Sequence, residues 1–279
     1  MDKPLTIASS SAFLAKTASK HIVNTNDSAR IVKLKGNYSF DSIKSQLMAK
    51  DFDFAVINLA DAPFNLPDGL VLAGVSERKD ASLKFLGNPD CLTGESLRDI
   101  KKGAKIKVRY DIVKDQLLEL FEDLEVITDK NPITDFHKDL ESGNIDGYIR
   151  AKFEFEQINL PENKFYEWDF SPHEIVSKGG EGVAAYLCRM DDILHRKIIR
   201  SYHHSPTSVC TNVERKITRA FPNNPIGAYC FMDSRNNYQI HSSVSLDKNH
   251  RSFYSQSTSD SLADKILELL QNETNVPNI

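Results

Sequence analysis

Between Lys105 and Phe155 short apolar runs alternate with amphipathic helical segments, and this alternation restricts the fold more than any other feature of the chain. Lys105–Tyr110 alternates as a strand, and Asp111–Phe121 places Ile112, Val113, Leu117, Leu120 and Phe121 on one helical face. Leu124–Ile127 is the next strand, a helix around Ile133–Leu140 stops at Ser142-Gly143, and Ile145–Phe155 returns as a strand. Strands joined through a helix run parallel, because only a crossover of that length returns the chain to the same end of a sheet. The βαβαβ run therefore predicts an α/β domain built on a largely parallel sheet.

The flanks extend the pattern. Ile7-Ala8 opens a short apolar stretch, Ala12–Ile22 is compatible with a helix, and residues 41–50 have helical spacing with Asp41 available as a cap. Phe54–Ile57 and Leu70–Val75 read as buried strands, with Pro67-Asp68-Gly69 as the turn between them. The last part changes character. Pro225–Met232, Tyr238–Leu246 and Arg251–Gln256 read as an antiparallel meander turning first at residues 233–237, and Ser259–Leu270 closes as an amphipathic helix.

Composition excludes several classes. Of the 279 residues, 40% are hydrophobic and 27% charged, which suits globular domains and excludes wholesale disorder or a coiled coil. A net charge of −4 argues against a grip on nucleic-acid backbone. Cys91, Cys188, Cys210 and Cys230 are far apart and form no CxxC, which speaks against a disulfide scaffold, structural zinc or a redox dithiol. Adjacent His203 and His204 diverge and have no completing carboxylate or cysteine spacing, so no metal is expected. Gly179–Gly182 lacks the Lys-Ser/Thr of a phosphate loop, and Ser9-Ser10-Ser11 has no His-Asp partners for a nucleophile. No signal-peptide core and no long apolar run occurs, so the expected location is the cytoplasm, with no membrane partner.

Seven stretches, in order and in register, resemble the porphobilinogen deaminase (hydroxymethylbilane synthase) family of tetrapyrrole and haem biosynthesis. Ile7–Ala15 is similar to its IATRxSxLAL opening, Ala55–Pro63 to AVHSxKDxP, and Leu66–Leu70 to LPxGL. Lys107–Leu117 lies where the family has GTSSLRRxxQL, and residues 130–143 lie over RGNxxTRLxKLxxGxxD, with Leu140, Gly143 and Asp146 kept. Gly180–Ala184 with Cys188-Arg189 resembles GQGALxxxxR. His203-His204, Glu214-Arg215 and Pro225–Tyr229 resemble HxxT…ER…VPIGAYA.

The resemblance implies an α/β protein of two type II periplasmic-binding-protein-like domains plus a small C-terminal α+β domain. The implied boundaries are residues 1–88 and 175–197 for the first, 89–174 for the second and 198–279 for the third. It also implies a chemistry: condensation of four porphobilinogens on a dipyrromethane primer held by a cysteine of the third domain. Arginine forks would bind the acetate and propionate groups, and a carboxylate would stabilise cationic pyrrole intermediates.

The positions that would carry this chemistry are changed. The primer cysteine falls on Pro222 in a shortened loop, so no dipyrromethane cofactor is expected; the nearest thiol, Cys230, reads as a small buried residue. The implied catalytic aspartate falls on Leu83, with Asp80 as a weak substitute. Arginine positions hold Ser10, Ile112, Val113, Lys130, Phe136 and Gln157, and the family lysine is Ala60. The family's mobile loop has no counterpart between Leu34 and Asp41. At about 1.5–3 kcal/mol for each hydrogen bond to a charged group, losing five arginines removes on the order of 10 kcal/mol of gross carboxylate binding.

Arg109, Lys130, Arg150 and Lys152, with Lys107, are candidates for a replacement anion site in a cleft between the domains. The competing reading pairs them with Glu154, Glu156 and neighbouring acids on an exposed edge strand. Three functions follow. The first is a pseudoenzyme or binder of an anionic small molecule such as a tetrapyrrole precursor, with a protein partner left open. The second is an active divergent hydroxymethylbilane synthase using Asp80, Arg78 and a non-covalently held primer. The third is a solute-binding module unrelated to tetrapyrroles.

Overall fold

The computed structural model describes residues 4–10, 13–26, 29–34 and 39–274, with the backbone only at Lys33, Glu273 and Thr274. Ser11 and Ala12 of the opening motif, and residues 35–38 where the family loop is missing, lie outside the described residues. In chain order the elements begin with β1 (Thr6–Ser9), α1 (Phe13–Thr25), β2 (Arg30–Lys33), α2 (Phe40–Met48), β3 (Phe54–Asn58), β4 (Leu70–Val75) and β5 (Leu83–Gly87). They continue with β6 (Lys105–Val108), α3 (Asp111–Leu120), β7 (Glu125–Thr128), α4 (Ile133–Glu141), β8 (Gly147–Ala151) and β9 (Tyr166–Asp169). The last are β10 (Ala184–Arg189), α5 (Ile193–Arg200), α6 (Ser205–Arg219), β11 (Ile226–Met232), β12 (Tyr238–Ser245), β13 (Asn249–Gln256) and α7 (Leu262–Thr274).

The chain divides into two compact units, residues 1–79 with 180–209, and residues 80–179 with 210–279; the division falls within α6. In the first unit one mixed sheet has the order β2-β1-β3-β10-β4. β1 runs parallel to β2 and β3, whereas β10 enters antiparallel between β3 and β4. β3 is buried at all five residues, and Ile43 and Leu47 of α2 pack with Ala55, Ile57, Leu70 and Leu187 into its core. The cap of α2 is Ser39, whose hydroxyl accepts from Ser42 N at 3.1 Å, and not Asp41, which sits in the first turn. A serine at that position reaches the free N–H groups while Asp41 acts only on the helix dipole.

The second unit repeats the arrangement as β7-β6-β8-β5-β9. β6 is parallel to β7 and β8, and β5 enters antiparallel between β8 and β9. In both sheets, then, three parallel strands in the order second-first-third are followed by a strand from a distant part of the chain. That is the strand order of type II periplasmic-binding-protein-like domains. β5, counted with residues 1–88 on the family pattern, is hydrogen-bonded here between β8 and β9.

The strand expected over Ile145–Phe155 is shorter. It ends at Ala151, and Lys152–Gln157 winds into a 3₁₀ helix whose Phe153 is buried. The same unit contains the meander β11-β12-β13, antiparallel in register throughout. α6 and α7 cover one of its faces through Ile217, Leu262, Ile266 and Leu270 packed on Ala228, Ile240 and Val244. This is the small α+β portion expected at the C-terminus. Among the described residues no helix is long and apolar enough to cross a membrane.

Candidate functional site

In open α/β sheets, ligands bind at the carboxyl ends of the parallel strands. In the first unit those ends are Ser9-Ser10 after β1 and Asn58 after β3, side by side because Ser10 N donates to Val56 O at 3.0 Å. Ser10, on the family's first arginine position, is 2% exposed and Asn58 is 7% exposed. Among the described residues the Ser10 hydroxyl and the Asn58 side-chain carbonyl have no hydrogen-bond partner. A buried oxygen without a partner is costly in a finished core and common where a ligand or water completes the structure. Leu59–Asp61 continues from β3 as a 3₁₀ turn, with Ala60 buried on the family's lysine position. The half-buried acid of this edge is Asp61. The Ala55–Pro63 stretch keeps it at the aspartate of the AVHSxKDxP pattern.

The Gly180–Val183 loop holds this edge in place. Leu59 N donates to Val183 O at 2.8 Å, and Lys79 N donates to Gly182 O at 2.8 Å. Gly180 has φ of +81°, and a Cβ there would stand 3.0 Å from the Leu59 side chain and 3.1 Å from Ala60 N. Only glycine satisfies both the left-handed backbone and the close approach.

In the second unit the corresponding edge lies after β6, β7 and β8. It brings Arg109, Lys130 and the Arg150–Lys152 segment to one end of one sheet, as an anion site would require. Most of the charges are already answered. Arg150 is 1% exposed on a central strand, β8, and not on an exposed edge strand as the pairing alternative supposed. Its Nε donates to Glu154 Oε1 at 3.2 Å, its Nη2 pairs with Glu154 Oε2, and its Nη1 donates to Asn131 O at 3.0 Å. The guanidinium carbon lies 4.7 Å from the centre of the Phe136 ring, on a family arginine position.

Lys152 is bound to Asp169 at 2.7 Å. Lys107 reaches Asp139 at 2.5 Å and Asp129 at 3.2 Å. Burial works against the Lys107 charge, but the bonds to Asp139 and Asp129 outweigh it and raise its pKa above the ordinary lysine value. Arg109 Nε donates to the Tyr110 hydroxyl at 2.8 Å. Lys130 is exposed, and no hydrogen bond or ion pair engages its side chain among the described residues.

The remaining family positions are structural. Ile112 and Val113 are buried in α3 at 2% exposure each, Phe136 is fully buried, and Gln157 donates to Glu154 O at 3.2 Å. Leu83 is buried at the start of β5. Asp80 is exposed and folded onto its own turn, accepting from Ser82 N at 3.0 Å and from the Ser82 hydroxyl at 2.6 Å. Pro222 occupies an exposed turn between α6 and β11.

All four cysteines are buried. Burial pushes the thiols of Cys91 and Cys188 up to about 11, and Cys230 lies on β11 at 1% exposure. His203 and His204 do not converge, since Nδ1 of His203 accepts from Val75 N and Nδ1 of His204 bonds Thr207 at the start of α6. Among the described residues no group of His, Cys, Asp or Glu could hold a metal.

The retained motif residues hold the scaffold. Asp146 accepts from Lys105 N at 2.7 Å, Glu214 is fully buried and accepts from Cys230 N at 2.8 Å, and Gly143 ends α4 with φ of +73°. The sequence model described as porphobilinogen deaminase, dipyromethane cofactor binding domain, matches residues 12–197. The chain belongs to the porphobilinogen deaminase family. Porphobilinogen deaminase of Chlorobium luteolum is 28% identical over 235 residues, covering 78% of this chain and 73% of the relative. That of Brevibacillus brevis is 29% identical over 198 residues, covering 70% and 62%. Among solved structures, the periplasmic aliphatic sulphonate binding protein SsuA of Escherichia coli aligns at 13% identity with a TM-score of 0.47, covering 99% of this chain and 76% of that one.

Proposed function

We propose that this member of the porphobilinogen deaminase family has lost primer-dependent synthesis of hydroxymethylbilane and acts as a binder of an anionic small molecule, a tetrapyrrole precursor being the class the family suggests. The observation that carries the reading is the thiol inventory. The primer position is Pro222, and the four cysteines are all buried. A thiol must be exposed and largely deprotonated to act as a nucleophile, and burial opposes both. The residues present therefore do not fit a covalently held dipyrromethane.

The fate of the cations supports the same reading. Three arginine positions are now core residues, Ile112, Val113 and Phe136, and Arg150 is spent on Glu154. For binding, Lys130 at the second sheet's carboxyl edge offers positive charge. In the first unit, the Ser10 hydroxyl, without a partner among the described residues, offers a donor.

The test is incubation of the purified protein with porphobilinogen, following intact mass and substrate consumption together. We expect neither an adduct nor consumption. A mass gain of two pyrrole units with steady turnover would overturn the proposal; Cys230→Ser would then identify the anchor and Asp61→Asn the acid.

A further inference from the structure

The first unit carries a second concave surface, formed by α5 over the edge strand β4. A cavity of about 700 Å³ is lined by Ala73 of β4, by Ile193, Arg196, Lys197 and Arg200 of α5, and by His203 and Ser205. The helical residues recur at intervals of three and four, so they share one face. The helix is pressed onto the sheet: a Cβ on Gly74 would lie 2.9 Å from Ile199 and 3.3 Å from His203.

The charge of this wall is one-sided. Among the described residues no carboxylate pairs with Arg196, Lys197 or Arg200. The neighbouring acid Asp192 is taken up by Arg189 and His195. Arg196 and Arg200 are four residues apart, and Lys197 and Arg200 three, spacings at which like charges oppose the helix. Their position near its C-terminal end offsets only part of that repulsion. His203 adds a donor, because Val75 N donates to its Nδ1 at 3.2 Å and so leaves the ring hydrogen of the neutral imidazole on Nε2. The wall thus presents cations and donors without an acid, in a chain whose net charge is −4. Its apolar component is Ile193, 67% exposed, with Leu194 and Met190 exposed beside it in the chain.

The geometry points to a binding site for a small organic polyanion, a molecule with two or more phosphate or carboxylate groups and an apolar portion that covers Ile193 and Ala73. Three clustered cations match several anionic groups on one ligand, and guanidinium forks suit both phosphate and carboxylate. A concave wall of this volume fits a small molecule better than a flat lipid surface.

The test is titration of isotope-labelled protein with ATP and, separately, with citrate at physiological ionic strength, read by amide chemical shifts. Saturable shifts concentrated at residues 190–205 and around Ala73 are expected from at least one probe. Response to ATP alone assigns phosphate, and response to citrate alone assigns carboxylate. Arg196→Glu/Arg200→Glu, both exposed, should weaken binding by more than about tenfold. Ala73→Leu should weaken it with every charge in place, with circular dichroism confirming that both variants fold. The proposal fails if neither probe saturates, if the shifts survive the charge reversal, or if the patch responds to anionic lipid vesicles and to neither probe.

Discussion

The two α/β sheets share one strand order but present opposite chemistry at their carboxyl edges. In the first unit the edge is small and carries little charge, with Ser10, Asn58 and Ala60 beside one acid, Asp61, and two of its buried oxygens have no partner among the described residues. In the second unit the edge is crowded with charge, and Arg150, Lys152 and Lys107 each have an acid of their own. Strand order rests on apolar alternation and on the insertion of a distant strand, and neither depends on what the strand ends carry. Charges that enter a buried edge must find partners, because an unpaired buried ion costs several kcal/mol. The scaffold has thus been preserved in both units while the edges diverged.

The largest test of that contrast is Glu154→Gln. It leaves Arg150 buried beside a neutral group and should cost about 3–5 kcal/mol in chemical denaturation, whereas Arg150→Met/Glu154→Leu should recover most of the loss. A double variant as unstable as the single one would show that the pair does more than answer a buried charge.

Acid response is the next arm, and His241 and Asp139 of the second unit both contribute to it. His241 is held down to about 4 by burial and by the nearby His173. Between its ordinary pKa of 6.5 and 4 the unfolded chain binds a proton that the folded one refuses, so stability falls as pH falls through that window. The full shift corresponds to about 3 kcal/mol, and His241→Gln should flatten that slope. Asp139 is held below the usual carboxylate range by its bond to Lys107. Its contribution is present above that range and is lost as pH falls below it. Asp139→Asn should cost about 1.5–3 kcal/mol at neutral pH and leave less to lose below about pH 4.

The smallest effect belongs to the first unit. Ser10→Ala removes a buried hydroxyl that has no partner, so it should change stability by no more than about 1 kcal/mol, in the stabilising direction. A clear loss in thermal unfolding would mean that the hydroxyl is bonded, and the unpartnered edge would no longer contrast with the paired one.

Most of the elements were legible because their signals are local. The alternation in Lys105–Val108, the helical stripe of Asp111–Leu120 and the register of the closing meander each sit within one stretch of chain. The family resemblance puts Pro222, Leu83, Ile112 and Val113 on positions of reactive or charged groups; the structure makes Leu83, Ile112 and Val113 core residues and leaves Pro222 in a turn. The environment of Arg150 was not legible. Alternation within Ile145–Phe155 cannot say which strand lies beside it, and the neighbour that buries it, β5, comes from some sixty residues earlier. Asp41 and Ser39 were equally plausible caps until the first turn of α2 was placed.

By itself, the sequence determined the class of fold and the family, because apolar periodicity and residue identity are properties of the chain alone. The tertiary structure decided which strands are central, which cations are neutralised and which oxygens stay unpartnered. Those outcomes depend on where β5 and β10 insert, and such long-range pairing sets the burial and the distances on which every charge interaction rests.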